Sequence, residues 1–215
     1  MRLSLAGGLA LATLLPLTTG CFANRNKTEE TGSGPVSSAT VGKATGATVR
    51  SAINGAAATG TASTLIARQM DKQAQELAYE LPGATVQRIG GGIVVTLPEA
   101  LLFAQESDQL TPATRDNMRR LATSLEKYPN TRLMVVGHTD TQGGTDRNLD
   151  LSDRRAQAIA GFLVDVGVNR ARITALGRGD AEPIATNDAD AGRQWNRRVE
   201  IAIYADEATR FGSRD

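Results

Sequence analysis

An arginine planted in the apolar stripe of a helix constrains this chain more than any other feature of its sequence. The stretch is Gly137 to Ala160, GHTDTQGGTDRNLDLSDRRAQAIA. It opens at the end of an apolar run, Leu133-Met134-Val135-Val136, which predicts a strand over Arg132 to His138. A polar turn, Thr141-Gln142-Gly143-Gly144, then leads into a helix from Thr145 to Val166. Thr145 is placed as its N-cap, with Asp146 in the first turn where the helix dipole favours an acid. Turned at about 100° per residue, this helix puts Leu151, Ile159, Phe162, Leu163 and Val166 on a core-facing side. Asp146, Asp150, Asp153, Arg154 and Gln157 fall opposite. Arg155 breaks the rule, because it lies inside the apolar stripe with Asn148 and Ser152 above it at helical spacing.

A guanidinium keeps its proton, so a buried one must be matched by acids or other acceptors. The nearest candidate along the chain is Asp140, at the end of the strand that feeds the helix. Two accounts follow from the residues. In one, Asp140 and Arg155 form a structural salt bridge. In the other they form a dipolar clamp, Asp140 for an ammonium and Arg155 for a carboxylate held in forked geometry. A zwitterionic amino acid carries both groups on one carbon.

Thr139-Asp140, Gly143, Asn148, Leu151-Ser152 and Arg154-Arg155-Ala156 together resemble the peptidoglycan-binding signature of the OmpA C-terminal-like domain, also found in Pal and MotB proteins. Several fixed offsets make this pattern far more specific than a short motif. Further matches are Gly177-Arg178-Gly179-Asp180, close to the family's GxGE turn, and Asn196 to Ile201, its closing NRRVEI strand. Phe103 and Leu110 keep their places in a weakened FxFDSxxL segment, where Gln105 and Glu106 depart from the pattern. The resemblance implies an α/β sandwich, a mixed sheet with helices on one face, over residues 86–204. It also implies non-covalent binding of diaminopimelate in the cell-wall peptide: Asp140 on the ammonium, Arg155 on the carboxylate, Thr139 and Asn148 orienting the site. No catalysis and no cofactor are implied.

Ahead of that domain, Met1-Arg2 and the apolar run Leu3 to Leu17 predict a signal peptide over residues 1–20, too short to span a bilayer. The only cysteine, Cys21, follows small residues and resembles a bacterial lipobox, although Thr18 stands where leucine is usual and Leu17 lies one place earlier. The resemblance implies a lipoprotein acylated at Cys21 by palmitate-type chains, which hold a protein stably at a membrane when several act together. Phe22 in place of aspartate points to the outer membrane, with the domain in the periplasm. Residues 22–40 are polar and without period, a flexible tether. Residues 41–68, with Gly42, Gly46, Gly55 and Gly60 among many Ala and Thr, resemble a degenerate glycine-zipper segment of YiaD-like lipoproteins. Linker and packing helix both remain open for them. Ala67 to Leu81 predicts a short amphipathic helix with Met70, Ala74, Leu77 and Leu81 on one face. Residues 205–215 form a polar tail.

Within the domain, Val86–Ile89 and Ile93–Leu97 around Gly90-Gly91-Gly92 predict a hairpin, and Ile173–Leu176 a further strand. Thr111 before Pro112 predicts a helix start, with Met118, Leu121, Ala122 and Leu125 on its buried face. Gly167 closes the following helix as its C′ residue, and Glu182 to Gln194 reads as a loop.

Composition narrows the function. A net charge of +1 offers no electrostatic case for nucleic acid. One cysteine and one histidine exclude an internal disulfide and argue against a His/Cys metal centre. His138 lies near Asp140, but no GxSxG elbow or second base accompanies it, so a hydrogen-bonded structural histidine is expected rather than a hydrolase. The acids from Asp140 to Asp153 lack the EF-hand spacing. Arg197 and Arg198 should point to opposite sides of the closing strand, one toward the site and one into solvent. The expected partners are therefore peptidoglycan, the outer membrane through the N-terminal lipid, and envelope proteins if the domain anchors an assembly or secretion machine.

Overall fold

The structure, a computed structural model, describes residues 45–58, 64–104 and 107–206. The signal peptide, Cys21, the tether, Gln105, Glu106 and the polar tail fall outside them. Among the described residues two helices come first, α1 (Ala47–Ala58) and α2 (Thr64–Glu80), then the hairpin strands β1 (Thr85–Ile89) and β2 (Gly92–Pro98). A single-turn helix α3 (Glu99–Leu102), helix α4 (Pro112–Lys127), strand β3 (Thr131–His138) and the long helix α5 (Thr145–Asp165) follow. Strand β4 (Ile173–Gly177), a short helix α6 (Asp190–Asn196) and strand β5 (Arg198–Ala205) complete the order. The five strands form one mixed sheet, β1-β2-β5-β3-β4, in which only β3 and β4 run parallel.

Alternation along the strands divides the apolar residues between the two faces. Ile93, Val95, Leu97, Leu133, Val135, Val199, Ile201 and Ile203 face one way, into the main core with Leu77, Leu121, Leu125, Ile159 and Leu163 from α2, α4 and α5. Almost no aromatic side chain takes part. The cap signals behave as their chemistry requires: Thr111 Oγ1 accepts from Thr114 N at 3.1 Å. At the end of α5, Gly167 with φ 105° lets its own N–H reach Val164 O and the N–H of Val168 reach Leu163 O. One cap differs from the expectation. Gly144, with φ 85°, is the N-cap of α5 and Thr145 is already its first helical residue. The loop from Glu182 also contains a helix, α6, whose Asn196 side chain accepts from Ile184 N and Ala185 N.

Helix α5 lies unusually close to the sheet. A Cβ on Gly137 would collide with the Ser152 backbone, and one on Gly177 with that of Asp153. These two glycines, paired across β3 and β4, let the helix descend until Ser152 and Arg155 sit beside the strand ends.

The opposite face of the sheet is covered as well, by the segment whose role the sequence left open. Val49 and Ile53 of α1 pack with Val94, Val136 and Ala202 in a second apolar cluster. The N-terminus of α1 is fixed by two glutamates distant in sequence. Gly46 N donates to both Glu200 oxygens at 3.0 Å, and Thr48 N to Glu182 Oε2 at 3.1 Å. Carboxylates here satisfy orphan amide donors and meet the positive end of the helix dipole. Arg198 is not in solvent, as adjacency of the two arginines suggested. It is buried, with Nε donating to Glu200 Oε1 at 2.8 Å, because α1 roofs this face.

His138 shares that roofed face and differs from the expected hydrogen-bonded residue. Neither ring nitrogen has a hydrogen-bond partner among the described residues. Burial, and then Arg198 and Arg178, lower its pKa from 6.5 to about 2. The ring is therefore neutral, and the 3.9 Å from Nε2 to Glu200 Oε2 is no ion pair. Between those pH values the unfolded chain takes up a proton that the folded chain refuses. This contribution to stability is full above pH 6.5 and is lost as pH falls, by about 1.4 kcal/mol per pH unit. Urea denaturation at pH 7 and pH 5 should reveal a loss of roughly 2 kcal/mol that His138→Gln lacks. Parallel pH slopes in the two proteins would refute the assignment.

Candidate functional site

Three strand ends converge at one end of the sheet. His138 closes β3 opposite Arg198, which opens β5, and Pro98 closes β2 opposite the same Arg198. The residues just beyond therefore leave side by side: Asp140 after β3, Arg197 before β5, Glu99 after β2. Glu99 N donates to Arg197 O at 3.0 Å, which ties those two backbones, and Thr139 N donates to Gly179 O at 2.9 Å, which ties the end of β3 to the turn after β4. Arg155 arrives from α5, over the glycine contacts. An open cleft of about 340 Å³ forms between them, and its walls include Thr139, Asp140, Asn148, Arg155, Glu99 and Arg197.

All four residues proposed for the site from sequence thus line one cleft. The pairing differs from the expectation, however, because Asp140 and Arg155 are not each other's partners. Asp140 Oδ2 accepts from Arg197 Nη1 at 2.6 Å, and its Oδ1 accepts from Gln142 N at 3.0 Å, bracing the turn. Arg155 Nη2 donates to Glu99 Oε1 at 2.5 Å and its Nε to the Ser107 carbonyl at 3.0 Å. The guanidinium also lies 5.1 Å from the centroid of the Phe103 ring, a cation–π contact. Arg197 Nε approaches Glu99 Oε2 at 3.2 Å, which closes an alternating chain Asp140–Arg197–Glu99–Arg155. The side chains of Asp140 and Arg155 are 6% and 3% exposed, so both charges depend on these partners.

The uncharged pair supports the frame. Asn148 Nδ2 donates to Asp140 O at 3.0 Å and holds the turn over the helix start. Thr139 Oγ1 is buried without a hydrogen-bond partner among the described residues, an unusual state for a buried hydroxyl. Of the two arginines at the closing strand, Arg197 is the one that reaches the site. Glu99 escaped the sequence reading. An acid one residue past a strand end, in the first turn of a four-residue helix, carries no signal that it will meet an arginine far along the chain.

The model of the OmpA family matches residues 102–197, a span that runs from α3 through the cleft to Arg197. The described domain belongs to the OmpA family. Among its relatives, Probable lipoprotein YiaD of Escherichia coli is 38% identical over 136 residues, 62% of each chain. Peptidoglycan-binding protein ArfA of Mycobacterium tuberculosis is 37% identical over 103 residues, 48% of this chain and 32% of that one. This chain thus spans about three fifths and about a third of their lengths. The solved structure of the cell wall anchor of the T6SS from Pseudomonas aeruginosa superposes with a TM-score of 0.53 at 34% identity, covering 66% of this chain and 97% of that one.

Proposed function

We propose that this OmpA-family domain binds peptidoglycan non-covalently and acts as an anchor rather than an enzyme. The ligand group is the free end of a diaminopimelate residue, its ammonium on Asp140 and its carboxylate on Arg155. The observation that carries this reading is the pair of nearly buried, opposite charges facing one open cleft from a strand end and a helix. Each is held by a side chain that an incoming charge of the same sign can replace. Thr139 supplies an unmatched hydroxyl beside them, and Asn148 holds the turn in shape.

The N-terminal sequence completes the proposal. A lipid on Cys21 would fix the chain to the outer membrane, and residues 22–40 would carry the domain across the periplasm to the wall. The names of YiaD and ArfA, a lipoprotein and a peptidoglycan-binding protein, agree with this arrangement. The likeness to a T6SS cell wall anchor favours a second use of the same site, as the wall attachment of an envelope machine. Pull-down of envelope partners with the full chain separates the two uses: an envelope assembly that co-purifies with it favours the second.

Cosedimentation with purified sacculi tests the core of the proposal. The protein should pellet with the sacculi, free meso-diaminopimelate should release it, and no soluble muropeptide should appear. Sedimentation insensitive to diaminopimelate would refute the ligand assignment.

A further inference from the structure

We propose that Glu99 and Arg197 are a built-in stand-in for the ligand, so that binding is an exchange of ion partners that selects for a zwitterion. The proposal rests on the diaminopimelate reading above and adds to it the pair that sets charge selectivity. Glu99 Oε1 sits on Arg155 where a ligand carboxylate would sit, and Arg197 Nη1 sits on Asp140 where an ammonium would sit. The two stand-ins already touch, Arg197 Nε to Glu99 Oε2 at 3.2 Å, and their backbones are hydrogen-bonded. When a zwitterion displaces both, they retain each other, and no charge is left unmatched.

The hold on Glu99 is lopsided. Its Oε2 is buried and makes the ionic approach to Arg197 without a hydrogen bond. A second cleft of about 500 Å³, bordered by Pro98, Ala100, Phe103 and Gln194, lies against the same Glu99 and Arg197. The pair therefore has room to swing away from the first cleft.

Charge counting gives the selectivity. Asp140, Glu99, Arg155 and Arg197 sum to zero, and a zwitterion keeps that sum. A lone carboxylate or a lone amine would leave one uncompensated charge in a poorly hydrated site, which is costly. Removing one stand-in should therefore open the site to ligands of the charge that it mimics.

Titration calorimetry with three probes on the full folded chain tests this: meso-diaminopimelate, pimelate (the same diacid without amines) and cadaverine (the diamine without carboxylates). The unaltered protein should bind only diaminopimelate. Glu99→Gln should accept pimelate, narrowing the preference for diaminopimelate at least about tenfold, whereas Glu99→Asp should still refuse it. Arg197→Gln should accept cadaverine. If Glu99→Gln refuses pimelate while Arg155→Ala has lost diaminopimelate, the stand-in role is overturned and the ligand assignment survives. Diaminopimelate binding that withstands Arg155→Ala would overturn the ligand assignment itself. Should Glu99→Gln fail to fold, Arg197→Gln decides alone, and its refusal of cadaverine overturns the proposal.

Discussion

Arg155→Ala is expected to abolish cosedimentation with sacculi, and Asp140→Asn to do the same, while circular dichroism and thermal melting report a folded domain in both. The size of the effect follows from what each side chain presents. Truncating one member of a desolvated, hydrogen-bonded charge pair costs about 2–5 kcal/mol of binding, an affinity loss of roughly 30-fold or more. Asparagine is the better test at position 140. It keeps an oxygen for Gln142 N, so the turn stays braced while the charge disappears. Arg155→Lys should retain only part of the binding, because an ammonium cannot present two parallel N–H groups to a carboxylate. Folding should be affected less than a mutual Asp140–Arg155 bridge would imply. Without Arg155, Glu99 still has Arg197, so the stability loss should stay at about 1–3 kcal/mol. Binding by the Asp140→Asn and Arg155→Ala proteins equal to that of the parent would remove the proposed mechanism.

The largest expected effect on stability lies on the other face of the sheet. Glu200→Leu should destabilise the domain by about 3–5 kcal/mol, because it strands Arg198 as a buried, unmatched cation. Glu200 is fully buried and receives Arg198 Nε at 2.8 Å together with Gly46 N, so the same change also unfastens the start of α1. A native domain is stable by only about 5–15 kcal/mol, which makes this loss plain in urea denaturation. Adding Arg198→Leu should restore much of it, since a buried ion pair replaced whole by apolar side chains is often neutral or better. A double variant no more stable than Glu200→Leu alone would show that the damage comes from α1 rather than from the bare cation.

How far the chain could be read without coordinates depends on the range of the interaction concerned. Local signals were legible. Thr111 before Pro112, Gly167 after a helix and the face of Met70, Ala74, Leu77 and Leu81 act within a turn or two, and each does in space what its chemistry suggests. Arg155 was legible as an anomaly, because a fixed cation in an apolar stripe demands a partner. Which partner it takes was not. Asp140 was nearest along the chain, but β2 and β5 bring Glu99 and Arg197 closer, through pairings that span most of the domain. The roof over the second face was hidden for the same reason. The small residues of α1 have a weak pattern, and its docking depends on Glu200 and Glu182, well over one hundred positions away. Arg198 and His138 looked exposed or hydrogen-bonded only because that roof could not be foreseen.

The way α1 is fastened bears on how the molecule would respond to being pulled. Gly46 hangs from Glu200, and Glu200 pairs across the sheet with Val136 of β3, four residues before Asp140. A force applied between the chain ahead of Thr45 and a wall fragment seated at Asp140 and Arg155 would thus cross the sheet between Glu200 and Val136 and leave by the end of β3, with β1 and β4 outside its path. Single-molecule stretching between those two points should find β1, β4 and α4 unstrained when the first rupture occurs at the Gly46 attachment.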